Sequence, residues 1–406
     1  YALITGLSPS VMRAATMFSF LVAAKTTKSN HVFFNTMAAS ALFLLIINPY
    51  LLMEVGFQLS YLAVIGIVVI HPYIYHLLYV KHWFLDKIWN ITAVSIAAQI
   101  ATFPLGLYYF HQFPNYFIFS NLIVIPAGIA ILYGGIVTLI LSEVPVLNEW
   151  LGQLLNWIVF GLNKAVLYIE QLPYALTENI KFTLLDNYLT YLAIVLILVA
   201  LAYKKLSYIL WATVCFILLF GFRLWDKTQQ VQQRHLVVYN IPQHSAINLI
   251  EGKDNVLISD IQLYESKNKM LFHVQNNWIQ HGVENEKIIP LKNLSKQFQV
   301  STLYKVNNEQ LFFKRNYISF LDKRMVILFP DAKLNPVEQP LNLDFLIVTQ
   351  NPYFSLEEIL KTYQPKQVIL DASNSFYTVK KFQEAAKKLN INLWAVPTDG
   401  AYSYSF

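Results

Sequence analysis

The chain has 406 residues, 56% of them hydrophobic, with a mean hydropathy of +0.43 and a formal net charge of +6. Of its 54 Lys, Arg, Asp and Glu residues only 18 fall within 1–226, while 36 occupy the remaining 180 positions. That asymmetry excludes a uniformly soluble globule, and the single cysteine, Cys215, excludes an intrachain disulfide.

The charge-poor part carries eight apolar runs, at about 13–25, 34–48, 57–76, 88–110, 117–142, 150–170, 188–203 and 207–224, each read as a membrane helix. A charge at the bilayer centre costs ~2.5–3.5 kcal/mol, which is the physical reason for the depletion. The first run is short. The sixth contains Asn156, Asn163, Lys164 and Glu170, a composition suited to the interface or a cavity wall. The fifth contains Pro126, which removes a backbone donor and predicts a kinked or broken helix whose freed carbonyls face other helices or water; a simple packing kink fits equally well.

Lys25 and Lys28, Lys81 and Lys87, and Lys204 with Lys205 fall in three connections that share one side when eight spans are counted, and basic connections stay cytoplasmic. The count places the segment after the eighth span outside the cytoplasm. The chain opens on Tyr1 within an apolar stretch and shows no signal-peptide pattern, which reads as a fragment.

Polar residues inside the runs are the candidate path residues: Arg13, Gln58, Ser60, Gln99, Thr102 and Asn121. Amides and hydroxyls at such places also serve as interhelical glue. Arg13 differs, because a guanidinium near lipid needs an anion, a carbonyl cluster or the interface.

Beyond 226 the pattern changes to a mixed α/β domain with 20 basic and 16 acidic residues, a balance that tolerates a polyanionic partner without demanding one. Residues 235–240, 245–251 and 255–260 read as strands. The order 343–349 strand, 356–363 helix, 367–371 strand, 376–389 amphipathic helix and 392–396 strand predicts a layered α/β arrangement.

The opening Leu3-Ile4-Thr5-Gly6-Leu7-Ser8-Pro9-Ser10-Val11-Met12-Arg13-Ala14, then Asn48-Pro49, Glu54-Val55-Gly56-Phe57-Gln58-Leu59-Ser60-Tyr61-Leu62-Ala63-Val64 and Asn121-Leu122-Ile123-Val124-Ile125-Pro126, resemble the competence domain of the ComEC family of DNA-internalisation proteins over residues 1–226. Glu54 stands where that family is expected to have Asp, and the family's usual N-terminal extracellular module is missing ahead of Tyr1.

The resemblance implies a polytopic α-helical membrane bundle of about eight spans (1–226) that serves as a channel for single-stranded DNA in a bacterial plasma membrane, with a DNA receptor and a cytoplasmic motor as partners. A strand in transit needs weak, multiple contacts, which Arg13, Gln58, Ser60, Gln99, Thr102 and Asn121 would supply, with Tyr108, Tyr109 and Phe110 as stacking or interface aromatics.

It further implies that 227–406 is a soluble domain resembling a metallo-β-lactamase fold. Such a domain would hold its metals in a His-rich cluster after a buried strand, yet Val348-Thr349-Gln350-Asn351-Pro352-Tyr353-Phe354 stands there without a histidine, and His235, His244, His273 and His281 are scattered. Asp260 and Asp371 at strand ends read as turn caps. The expectation is therefore a degenerate domain with no catalytic residue, metal or cofactor. Two alternatives stand: a transporter of a small solute or lipid intermediate, with its site at Pro126, and a membrane-anchored metallohydrolase. No Gly-x-x-x-x-Gly-Lys-Ser/Thr run occurs, so any driving energy would come from a partner.

Overall fold

The computed structural model describes residues 9–26, 33–294, 302–306, 309–330, 332, 334 and 337–406. The opening Leu3–Ser8 of the first signature and Lys28 lie outside the described residues. The chain divides into two compact units, Tyr1–Leu219 and Phe220–Phe406.

The first unit is built from α1 (Pro9–Thr26), α2 (Phe33–Ile47), α3 (Val55–Tyr75), α4 (Trp83–Phe110), α5 (Phe117–Ile140), α6 (Pro145–Glu170), α7 (Leu184–Tyr203) and the start of α8 (Leu206–Gln232). Among the described residues five of these, α3, α4, α5, α7 and α8, are long and apolar enough to cross a membrane. At ~1.5 Å per residue the 15 residues of α2 reach ~22 Å, short of a ~30 Å hydrocarbon layer. α6 has the length, but Glu149, Asn156, Asn163 and Lys164 make it polar.

α3 and α4 form a close antiparallel pair. Tyr75 Oη donates to Asp86 Oδ1 (2.7 Å) at one end, and Tyr109 Oη donates to Gln58 Oε1 (3.4 Å) at the other. Between them Gly66 meets a seam of small residues, Ala93, Ala97 and Ala101, so tightly that a Cβ on Gly66 would sit 2.3 Å from Ala101 Cβ and 2.8 Å from the Ala97 carbonyl. Small residues permit this approach where lipid gives helices no hydrophobic reason to associate. α7 lies along the same pair, with Tyr191 Oη donating to the Ala101 carbonyl (3.0 Å) and Leu198 against the Ile70/Ala93 cluster. α7 therefore runs toward the Tyr75–Asp86 end, where its last residues lead into Lys204 and Lys205.

At the Gln58 end the connections are tied to one another. A two-residue ribbon pairs β1 (Phe113–Pro114) with β2 (Leu176–Thr177), Ile180 N donates to the His111 carbonyl (2.9 Å), and Asn115 Nδ2 donates to the Tyr174 carbonyl (2.8 Å). Thr183 and Asp186 form a capping box at the start of α7, satisfying two of the orphaned donors there. The break expected at Pro126 does not occur: α5 runs unbroken from Phe117 to Ile140. One missing rung, the one that would end at the Leu122 carbonyl, is too small a loss to end a helix held by its neighbouring turns.

The second unit is a sandwich of two sheets. One sheet has the order β14 (Tyr402–Ser405), β3 (Arg234–Val238), β4 (Ala246–Glu251), β5 (Asp254–Ser259), β6 (Asn285–Pro290), antiparallel except for β5/β6. The other runs β13 (Leu393–Ala395), β12 (Tyr363–Leu370), β11 (Leu341–Val348), β10 (Lys323–Leu328), β9 (Tyr317–Phe320), β8 (Glu309–Lys314), β7 (Thr302–Val306), parallel from β10 to β13 and a meander from β7 to β10.

The two-residue period of the strands sorts their side chains. Leu236, Val238, Ile247, Leu249, Val256 and Ile258 enter the core shared with Phe313, Phe320, Met325 and Ile347, while Val237, Tyr239, Ile250 and Leu257 face Leu263, Val274 and Trp278 on the other side. The helix Phe376–Leu389 lays Val379, Phe382 and Ala386 onto the shared core. The predicted strand–helix–strand–helix–strand order of the last third is observed, and the meander β7–β10 before it is an addition that the sequence reading did not contain.

Candidate functional site

In the helical unit, three of the six candidate path residues share one place. Ser60 of α3 and Gln99 and Thr102 of α4 line a half-open cleft of about 480 Å3, together with Leu59, Ala63, Phe103, Gly106, Leu107, Phe110 and the turn Gln112–Pro114. Helix periodicity explains the set: 99, 102, 103, 106 and 110 fall on one face of α4, and 59, 60 and 63 on one face of α3. The Ser60 hydroxyl donates to the Gly56 carbonyl (2.7 Å) and the Thr102 hydroxyl to the Ala98 carbonyl (2.8 Å), so both offer only acceptor lone pairs to the cleft. Among the described residues the carboxamides of Gln99 and Gln112 have no protein partner, and no charged residue lines the cleft.

The other three candidates lie elsewhere. Gln58 is occupied: its Nε2 donates to the Leu52 carbonyl (2.8 Å) and its Oε1 accepts from Tyr109, which fixes the α2–α3 connection against the end of α4. Arg13 is buried, 5% exposed, and its guanidinium packs on the start of α3, where a Cβ on Gly56 would lie 3.0 Å from Arg13 Nη2. Snorkelling to the surface is excluded by that burial. The Gly-x-Gln sequence of α3 thus has a use: glycine leaves room for the arginine. Asn121 is half-buried on α5, away from the cleft lining. Tyr108 and Tyr109 pack edge to face (5.0 Å), and only Phe110 of that trio reaches the cleft. Gln112 and Phe103 were missed in the sequence, since Gln112 sits in a turn and its place beside α3 follows from the ribbon β1/β2.

In the second unit the ends of β4, β5, β11 and β12 bring together a polar cluster. His244 Nδ1 bonds Asp260 Oδ2 (2.8 Å), and Lys269 Nζ donates to His244 Nε2 (2.8 Å). Ser245 N donates to Asp260 Oδ1 (2.9 Å) while its hydroxyl donates to Asp371 Oδ2. Asp371 Oδ1 accepts from Ser373 N (3.0 Å) and Asn374 Nδ2 (3.0 Å). The loop after β11, with Gln350 and Asn351 at positive φ, is tied to the same cluster by Gln350 N to Ser373 Oγ (2.7 Å) and Asn351 N to Asn374 Oδ1 (3.0 Å). Complete burial pushes the Asp371 carboxyl up to about 7, against the lowering effect of its Ser245 and Ser373 bonds and with a further push from Asp260.

Reading Asp260 and Asp371 as separate turn caps therefore understates them, because Ser245 joins them in one network with His244. Ser245 and Lys269 carry no motif that a sequence shows; they meet only through the sandwich. These donors do not suit a divalent metal. The free imidazole nitrogen of His244 is taken by an ammonium, Asp371 is sealed by hydroxyl and amide donors, and among the described residues no three His, Cys, Asp or Glu side chains come together as a ligand set.

Comparison with known proteins agrees with this division. The family described as competence protein matches residues 1–232, and the family described as ComEC C-terminal domain matches residues 236–406. The chain is 32% identical over 164 residues to ComE operon protein 3 of Bacillus subtilis (strain 168), a stretch that spans 39% of this chain and 20% of that relative. No solved structure matches the chain. With the first match alone covering more than half of its length, the chain belongs to the ComEC family of competence proteins.

Proposed function

We propose that the helical unit is a channel for single-stranded DNA in the plasma membrane of a bacterium, acting in competence, and that the C-terminal unit, with the layering of a metallo-β-lactamase fold, scaffolds or binds and does not hydrolyse. The observation that carries the first part is the convergence of Ser60, Gln99 and Thr102 on one cleft between two helices able to cross a membrane. A path through lipid needs such internal polarity, and its contacts must be weak enough to release what passes. The second part is supported by the two-sheet sandwich and by a strand-end network whose cationic position is filled by Lys269. The absence of a nucleotide-binding run in the sequence leaves the driving energy to a partner, for which we propose a cytoplasmic motor, with a DNA receptor on the other face.

For the topology we propose eight spans with an extracytoplasmic C-terminal unit, a reading supported by how the connections are placed. Because β1 and β2 pair, the connections on either side of the α5–α6 hairpin share one end, so that hairpin contributes two crossings or none and leaves the orientation of α7 and α8 unaltered. Lys81 and Lys87 share the opposite end with Lys204 and Lys205, and their positive charge supports a cytoplasmic side for that end.

Deletion of the gene in its host, scored for transformation and for entry of labelled single-stranded DNA, tests the channel. Undiminished entry refutes it. Metal-dependent cleavage of DNA by the full chain, lost in Asp260→Asn, refutes the non-hydrolytic reading of the C-terminal unit.

A further inference from the structure

The cleft between α3 and α4 has a composition that selects among the parts of a nucleotide. Resting on the channel reading above, we propose that this cleft is a nucleobase subsite, which takes the bases of a passing strand and leaves the phosphates outside it. Among the described residues its lining contains no lysine, arginine or histidine to compensate a phosphate charge, and bringing a phosphodiester into an uncharged, partly apolar recess is strongly unfavourable. A base is neutral, flat and edged with donors and acceptors. Phe103, Phe110 and Phe113 line the cleft, and a base stacks on aromatic rings whatever its identity.

The carboxamides of Gln99 and Gln112 supply both donors and acceptors and are not engaged by protein among the described residues. The Ser60 and Thr102 oxygens, their protons committed to Gly56 and Ala98, add acceptors. Unspent carboxamides argue against an acyl chain as the occupant, since lipid tails leave such groups unpaired. The volume of about 480 Å3 lies within the ~300–1,000 Å3 typical of small-molecule recesses. Glycine at 106, with nothing within 4 Å of where its Cβ would be, keeps the floor open.

The test uses the full chain in lipid nanodiscs and two fluorescent oligomers of equal length and charge, one of thymidine and one abasic throughout. The thymidine oligomer is expected to bind at least fivefold more tightly than the abasic one. That difference is expected to vanish in Gln99→Leu/Phe110→Ala, while the affinity for the abasic oligomer and the yield of protein stay unchanged. Equal affinities in the unaltered chain, or a base preference untouched by the double substitution, overturn the subsite and leave the channel reading standing. Failure of both oligomers to bind at low salt overturns the channel reading itself, and the subsite with it.

Discussion

Replacing Asp371 by asparagine will change the pH dependence of the C-terminal unit in a direction fixed by its burial. In the folded chain the carboxyl titrates at about 7, against 3.8 in the unfolded chain. Between those values the unfolded chain has lost the proton that the folded chain retains, so stability falls as pH rises from about 4 to 7 and levels off above. At ~1.4 kcal/mol per pH unit the whole interval is worth on the order of 4 kcal/mol, with the lowering effect of the Ser245 and Ser373 bonds already contained in it. Asparagine keeps the shape of the side chain: its oxygen accepts from Ser373 N and Asn374 Nδ2 as Oδ1 does now, and its amide donates to Ser245 Oγ. His235, whose pKa burial lowers, acts in the opposite sense, with stability present above about pH 6.5 and lost as pH falls, but it is common to both proteins. Urea unfolding of the unit from Gln233 onward, repeated at half-unit steps from pH 4.5 to 8, isolates Asp371 as the difference between parent and variant. The reasoning fails if the two stability curves run parallel across that range.

Arg13→Ala should lower DNA entry at least severalfold with the membrane protein still present, because the guanidinium fills the space that Gly56 leaves at the start of α3; entry at the parent level removes Arg13 from the path. Gly66→Val should cost ~1–3 kcal/mol or more and lower the thermal midpoint in detergent, since the new side chain must displace the Ala97 backbone and Ala101, with Gly128→Val on α5, which meets nothing within 4 Å, as the control. Thr183→Ala should destabilise the start of α7 by ~1 kcal/mol, read as faster amide exchange at residues 184–187, because the capping box loses its hydroxyl. Gly282→Ala should destabilise the second unit in urea unfolding, as the residue holds φ +63° and a Cβ there would strike the Gln230 carboxamide.

The helices were legible because their signal is one-dimensional. A long apolar run announces itself, and all eight predicted positions carry a helix, five of which, among the described residues, are long and apolar enough to cross a membrane. Of the kinked or broken helix expected at Pro126 the break is absent, because a proline inside a long helix removes one rung while the neighbouring turns continue. Ser60, Gln99 and Thr102 were legible as polar residues in apolar runs, but their meeting was not. It depends on the rotation of α3 against α4, which is set by Gly66 seating on Ala97 and Ala101, and no single-helix pattern encodes a rotation.

The C-terminal unit shows the same limit from the other side. The absence of histidine after β11 could be read directly, yet the residues that meet there, Ser245 between two carboxylates and Lys269 on His244, come from separate strand ends and helices. A buried acid can remain in such a place only if its charge is suppressed or compensated. Here both operate on neighbouring groups: Asp371 holds its proton to about pH 7, while Asp260 bonds His244, whose other ring nitrogen accepts from the Lys269 ammonium. The network therefore closes on protein groups alone, and removing Lys269 would leave His244 Nε2 without its donor while Asp371, bonded through Ser245 and Ser373, keeps every partner it has.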